Sequence, residues 1–441
     1  MDTLISNVTV VTMNEKMDVL FGAYLGVKEG KIAYIGKTAP TEQPKTIIDG
    51  TGMVAIPGLI NCHTHLPTSV LRNYLDDAGK IDALKELLVR QSKIDERAGR
   101  AAIKLALAEC LRFGITSVSD LYYSPAVTAE IVAECGMKAN IALAGTRFVD
   151  DSEDFDFETD PGCKNLVIAV EKWHNYDNGR IKIDAGIHAE FTSNHQLWGA
   201  LSAYAFEQGL GLQMHLSESA EEVAGCEERT GLTPAELMHC HGVFRVPVTA
   251  AGCAHLTEIE QKMLGKAKAS AVAMPIAAAK QGYAPTPITD CVKNGMNVAL
   301  GTDSAVASGN LDMFEVMRMV ALQARQAGGD SDAMPAVAPL MMATVCGARA
   351  QGRADSCGML KEGMDADLCM VDFSAPHLMP CHDVKAGLVF SAKGGDVAMT
   401  MVRGKILYQN GQFPTIDLKA VIEDLTNYAI PRLFHDEKGS D

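Results

Sequence analysis

Two histidines one residue apart, His63 and His65, follow directly on the short apolar run Gly58–Cys62. In an extended strand, residues i and i+2 point to the same side, so the two imidazoles converge. Neutral imidazole is a common ligand for zinc, iron or nickel. The pair alone is a weak signal. Two other apolar runs also end in polar groups: Met214-His215-Leu216-Ser217-Glu218 and Gly301-Thr302-Asp303-Ser304. A lone histidine on a strand is usually a satisfied core residue, and an aspartate after Gly-Thr is usually a helix N-cap. All of them at strand mouths read instead as one open metal site, made of His63, His65, His215 and Asp303. A catalytic metal keeps a position for water, whose pKa it lowers toward ~7.

The elements that must position these groups begin at Pro57. Short apolar runs there alternate with stretches of helical period. The runs are Gly58–Cys62, Ile115–Leu121, Ala139–Ala144, Ile181–Ile187, Leu210–Met214, Val248–Cys253, Ala269–Met274 and Val298–Gly301. Amphipathic stretches such as Glu96–Phe113, Leu166–Tyr176, Gln196–Glu207 and Leu311–Ala327 lie between them. Parallel strands buried on both faces read as continuous apolar runs. A βα unit repeated this often predicts an α/β fold of the (β/α)₈ TIM-barrel type, whose chemistry sits at the C-terminal strand ends. An open doubly wound sheet is the structural alternative.

Residues 1–57 read as short strands and turns, with Ala23–Lys28 and Lys31–Ile35 flanking Glu29-Gly30. Residues 356–415 return to that texture, and Arg403-Gly404-Lys405 makes a tight turn. The two segments are expected to pair into one small β-sandwich domain, because neither alone buries much surface. The barrel then occupies 58–355, and 416–441 forms a helix and a polar tail.

Bulk properties exclude several function classes. The 441 residues suit one barrel plus a smaller domain. Lys and Arg number 39 against 55 Asp and Glu, a balance of −16. Such a chain repels nucleic acid and anionic membrane surfaces, so neither is an expected partner. The 12 cysteines form no CxxC pair and read as reduced, buried residues. The N-terminus lacks a basic stretch followed by an apolar core, and no apolar run spans a bilayer. A cytoplasmic location is the default expectation.

The segments PGLINCHTHLPTSVLRNYLDD, MHLSESAEE and NVALGTDSAVASGNLDMF resemble the amidohydrolase superfamily. So does ADLCMVDFSAPHLMPCHDVKAGLVFSAKGGDVAMTMVRGKIL near the C-terminus. The resemblance covers nearly the whole chain. Within the superfamily it is nearest the cytosine deaminase and chlorohydrolase-like group, and the methylthioadenosine/S-adenosylhomocysteine deaminases in particular. It implies a single metal, zinc or else iron or nickel, on His63, His65, His215 and Asp303. No lysine stands at the end of the fourth run, where two-metal members carry one. The resemblance also implies a small-molecule substrate, a homo-oligomer, and hydrolysis of a C–N bond with release of ammonia.

Glu218 matches the family's proton shuttle. Attack on an amidine-like carbon builds negative charge on the ring nitrogen, which a carboxylic acid can protonate. An acidic residue in the first turn of a following helix is the plainer alternative. Asp303 would serve both as ligand and as acceptor of the water proton. His188 matches a substrate-contacting histidine, although the usual H-x-P-Y-T reads His188-Ala189-Glu190-Phe191-Thr192 here. Glu190 is left between a cationic substrate group and solvent, with solvent favoured.

Two stretches depart from the family. Its A-H-C-x-H-L pattern reads Ala251-Gly252-Cys253-Ala254-His255-Leu256, so the water-orienting histidine is Gly252. His255 matches only the second histidine, as a substrate-side candidate or a structural loop residue. The seventh run ends Pro275-Ile276-Ala277-Ala278, without the family's polar pair. Deamination of a heterocycle or amidine is the leading expectation. Amide hydrolysis, dechlorination and a metal-binding homologue of impaired activity stay open beside it. His239 and His241 read as surface residues.

Overall fold

The computed structural model describes residues 1–74, 76, 86–87, 89–147 and 155–434. The polar tail expected after the last helix lies outside the described residues.

The N-terminal segment forms β1 (Thr3–Val11), β2 (Val19–Lys28), β3 (Lys31–Gly36), β4 (Thr46–Asp49) and β5 (Met53–Pro57). Glu29 and Gly30, at φ +51° and +75°, turn β2 into β3. Two consecutive left-handed residues match the twist of a hairpin, which is why a glycine sits there. The barrel strands follow: β6 (Leu59–Thr64), β7 (Ile115–Tyr122), β8 (Lys138–Leu143), β9 (Ile181–Ile187), β10 (Leu212–Leu216), β11 (Val248–Gly252), β12 (Ser270–Ala273) and β13 (Asn297–Leu300). The chain returns to the first sheet with β14 (Leu368–Asp372), β15 (Val397–Val402) and β16 (Lys405–Gln409). That sheet runs β16-β15-β14-β5-β1-β2-β3, with β4 beside β1. The two ends of the chain thus meet where β5 pairs antiparallel with β14. Ile5, Val10, Leu25, Leu368 and Met401 share its apolar core.

β6 to β13 are parallel neighbours in sequence order. All eight apolar runs became strands. Their helices bury one stripe each. Glu96–Arg112 starts at Asp95, whose carboxylate accepts the Ala98 N–H at 2.9 Å. It buries Ile103, Ala106, Leu107, Cys110 and Leu111, the i, i+3, i+4, i+7, i+8 spacing of a core-facing helix. Each large aliphatic side chain buried this way contributes ~1.5–3 kcal/mol.

First and last strands meet in a seam, which distinguishes a barrel from an open sheet. Asn61 Oδ1 accepts the Thr302 N–H at 3.0 Å, and Asn61 Nδ2 donates to Thr302 Oγ1 at 2.7 Å. Asp303 N donates to His63 O at 3.0 Å. Gly301 permits this approach, since a Cβ there would lie 2.9 Å from His63 Cβ.

The opposite barrel end is pinned to the terminal sheet by charge. Lys138 of β8 is fully buried and pairs with Asp365 at 2.6 Å and with Asp367. Burial alone would raise the Asp365 carboxyl, but Lys138 beside it pulls it down to about 2. One helix falls inside the segment read as strand and turn. Val384–Phe390 starts at Asp383, which accepts from Lys385 N and Ala386 N, and buries Leu388 and Val389. Among the described residues, no helix is long and apolar enough to cross a membrane.

Candidate metal centre

Three histidine side chains converge at the C-terminal mouth of the barrel. His63 Nε2 lies 3.2 Å from His65 Nε2, which lies 3.3 Å from His215 Nε2. Among the described residues they form the group whose ligand atoms all lie within 4.8 Å of one another. Asp303 adjoins them, its Oδ1 3.4 Å from His65 Nε2. His65 Nδ1 donates to Leu121 O at 2.6 Å, leaving Nε2 as the nitrogen with a free lone pair. A hydrogen bond on one ring nitrogen that frees the other is how proteins orient a metal-binding imidazole.

Electrostatics agree with that donor set. Burial holds His63 well below the usual imidazole range, and the neighbouring histidines push the same way. Burial likewise lowers His65 to about 4. Both rings are therefore neutral at pH 7, as ligands must be. Burial raises the Asp303 carboxyl to about 7. Three imidazole nitrogens, those of His63 and His65 held neutral, and a carboxylate in a buried site fit a zinc-like divalent ion, whose positive charge would favour the carboxylate form and the neutral His215 ring.

Asp303 is not a helix cap. The helix Ala305–Ser308 is capped by Ser304, whose Oγ accepts the Ala307 N–H at 3.0 Å. Asp303 itself takes φ +63°, a conformation uncommon outside glycine. Glu218 likewise stands outside the helix that follows it. Ser219 caps that helix, Ala220–Thr230, and Glu221 and Glu222 fill its first turn. Glu218 Oε2 lies 3.5 Å from His215 Nδ1. Burial would lower His215, but the Glu218 carboxylate outweighs it and raises the ring; the same contact lowers Glu218 against its own burial.

The glycine that departs from the family pattern has a local cause. β11 pairs with β10 so that Gly252 faces Leu216. A Cβ on Gly252 would meet Glu218 Cβ at 2.7 Å, and its φ is +91°. No larger residue fits beside Glu218 as it stands.

The remaining candidates divide. His188 follows β9 and its ring lies 5.3 Å from that of His215. His188 Nδ1 bonds Thr192 Oγ1 at 3.0 Å, which fixes the ring toward the mouth. Glu190 corrects the expectation of a solvent-facing carboxylate. It is 4% exposed and its Oε2 receives Arg229 Nη2 at 2.5 Å, so its charge is already matched within the fold. His255 reaches the site through its backbone, donating to Ser217 O at 3.0 Å, and stands outside the converging donor group. His239 is exposed in the last turn of the helix Pro234–Cys240, and His241 packs on Trp198. Sequence reading missed Asp120, buried at the end of β7. Its Oδ1 accepts the Leu66 N–H at 2.7 Å and steadies the segment just after His65.

Residues 54–407 match the model of the amidohydrolase family. A 5-methylthioadenosine/S-adenosylhomocysteine deaminase of Moorella thermoacetica is 34% identical over 427 residues, covering 96% of this chain and 98% of that one. A 5'-deoxyadenosine deaminase of Methanosarcina mazei is 33% identical over 424 residues, covering 96% of each. The crystal structure of an adenosine deaminase from Xanthomonas campestris with bound zinc superposes with a TM-score of 0.91 at 26% identity, covering 99% of each chain. With the barrel, the histidine cluster and a family match over most of its length, this chain belongs to the amidohydrolase family.

Proposed function

We propose that the protein is a zinc-dependent hydrolytic deaminase acting on an amino-substituted heterocycle. The observation that carries this is the trio of imidazole nitrogens spaced 3.2 and 3.3 Å apart, flanked by the Asp303 and Glu218 carboxylates. His63, His65, His215 and Asp303 would hold one ion. When bound, the ion supplies Lewis acidity that makes water a nucleophile near neutral pH.

The chain's own residues account for the protons. Water oxygen bonds to the ring carbon that carries the amino group. One water proton passes through Glu218 to the adjacent ring nitrogen, which would otherwise gather negative charge. The second passes through Asp303 to the amino group, and the C–N bond breaks to release ammonia. His188, held by Thr192, would hydrogen-bond the substrate. The relatives' substrates put adenosine-type nucleosides first among those to try. Gly252 favours a second reading, amide hydrolysis or dechlorination, because it offers no side chain to orient the attacking water.

The test is elemental analysis followed by an ammonia-release screen over adenosine-type nucleosides, other purines, pyrimidines, pterins, triazines and guanidino compounds. Ammonia release that stops on chelation and returns with zinc is expected. No ammonia from any member, with about one metal per chain, refutes deamination; chloride release from a chlorotriazine would establish the second reading. Glu218→Gln should keep its metal and lose ~10²–10⁴-fold in turnover; retained turnover removes Glu218 from the mechanism.

A further inference from the structure

We infer that Glu222 is a positioning residue that holds the Ser217-Glu218 backbone in the conformation that aims Glu218 into the site. This rests on the shuttle role proposed for Glu218.

The motif Ser/Thr-x-x-Glu occurs at three helix starts among the described residues. At Thr233–Glu236 and Thr257–Glu260 the glutamate behaves as a capping box predicts. Glu236 Oε2 accepts the Thr233 N–H at 3.2 Å, and Glu260 Oε2 accepts the Thr257 N–H at 2.6 Å. In both, the carboxylate returns to the cap residue of its own helix. The third instance is Ser219–Glu222. Ser219 Oγ accepts the Glu222 N–H at 3.1 Å, the usual half of the box. The other half is different. Glu222 passes over the cap residue and reaches further back. Its Oε1 accepts the Ser217 N–H at 3.0 Å and its Oε2 accepts the Glu218 N–H at 2.7 Å. Both oxygens are therefore used on two consecutive amides just beyond the end of β10.

Those amides belong to a segment that would not stay put unaided. Ser217 has φ +47°, a left-handed value that costs energy for any residue with a β-carbon. Strained backbone of this kind persists where its surroundings over-determine it. Here Glu222 holds the segment from the helix side, while the residues just after β11 hold it from the strand side, through Cys253 N to Leu216 O at 2.8 Å and His255 N to Ser217 O at 3.0 Å. Glu222 is 8% exposed. Away from water its two hydrogen bonds to the amides strengthen. Both carboxylate oxygens of Glu222 bond the Ser217 and Glu218 amides, which is its direct route to Glu218, although its charge also raises the His215 ring.

The test is a double-mutant cycle with Glu222→Gln and Glu218→Gln, read as kcat and KM on a panel compound that releases ammonia. A carboxamide can accept one of the two N–H groups, but its NH2 opposes the other. Glu222→Gln should lower kcat on the order of 10²-fold with KM nearly unchanged. In the Glu218→Gln background it should cost less than about threefold, because its target is already gone. Additive losses overturn the inference, as does wild-type kcat in Glu222→Gln. Glu218→Gln alone judges the shuttle, so the two readings fail separately. Hydrogen exchange gives a readout without substrate. Exchange at the Ser217 and Glu218 amides should quicken at least about tenfold in Glu222→Gln while β6 amides keep their protection; unchanged exchange also overturns it. Should Glu222→Gln not fold, Glu222→Asp, one methylene too short to bridge both amides, carries the same cycle and the same two outcomes.

Discussion

Replacing Gly252 by alanine would force a β-carbon into space that Glu218 occupies. The added Cβ would sit 2.7 Å from Glu218 Cβ, 3.0 Å from its Cγ and 3.1 Å from its Cα. Carbon atoms pack at ~3.5–4.0 Å, so one side must retreat by about 1 Å. Gly252 cannot retreat easily. Its backbone is fixed in the β10 ladder, and its carbonyl accepts Thr286 Oγ1 at 2.6 Å. The left-handed φ adds ~1–2 kcal/mol for an L-residue, and overpacking adds ~1–3 kcal/mol. Gly252→Ala should therefore lose about 2–5 kcal/mol of stability. The 1 Å displacement of Glu218 should cost on the order of 10²-fold in kcat. Metal content should stay near that of the parent, since the clash falls on Glu218 and not on a ligand ring. Urea unfolding, elemental analysis and steady-state kinetics on one preparation measure all three. A Gly252→Ala enzyme with parental kcat and parental stability would refute the steric coupling. Gly252→His, which restores the family residue, should be worse than alanine; improved turnover would count equally against the argument.

Two further outcomes follow from buried charge. Lys138→Met should cost about 3–5 kcal/mol in urea unfolding, because Asp365 and Asp367 lose their buried partner; a loss below about 1 kcal/mol would contradict the charge pin between barrel and terminal sheet. Burial raises the Asp120 carboxyl from 3.8 to about 7. A folded pKa above the unfolded one means stability that is whole below pH 3.8 and lost as pH rises through 7, about 4 kcal/mol in all. Asp120→Asn keeps an acceptor for Leu66 N–H without the charge, so it should lack that decline; parallel pH profiles for the two proteins would refute it.

The strands were legible because parallel strands buried on both faces need continuous apolar runs, and eight such runs stand in the chain. The Glu29-Gly30 and Arg403-Gly404 turns were legible because hairpins need left-handed pairs. The helix Val384–Phe390 was hidden by its brevity, although Asp383 marks its start. His63, His65, His215 and Glu218 were legible because each lies at or next to a strand end. What the sequence withheld was pairing across the fold. Glu190 meets Arg229, 39 residues away, and nothing local to Glu190 announces that partner. Gly252 read as a missing histidine, whereas the cross-strand register makes it the room in which Glu218 stands. Asp120 drew no reading from the sequence, because only the fold brings the Leu66 N–H against it.

The seam between β6 and β13 has a consequence for how the protein matures. Asn61 and Thr302 lie 241 residues apart along the chain and touch in the fold. His63 and Asp303 are bound to each other across the same join. Half of the proposed ligand set, His63 and His65, leaves the ribosome with the first barrel strand; the last ligand arrives with the eighth. Domains that close on distant contacts complete them late, since the loop entropy must be overcome first. A nascent chain can present an HxH pair long before it can present the full cage. The proposed centre would therefore work as a closing stitch, and an ion completing it would draw the two ends of the barrel together. Capture of the ion would coincide with closure, tying the onset of catalytic competence to the last step of folding.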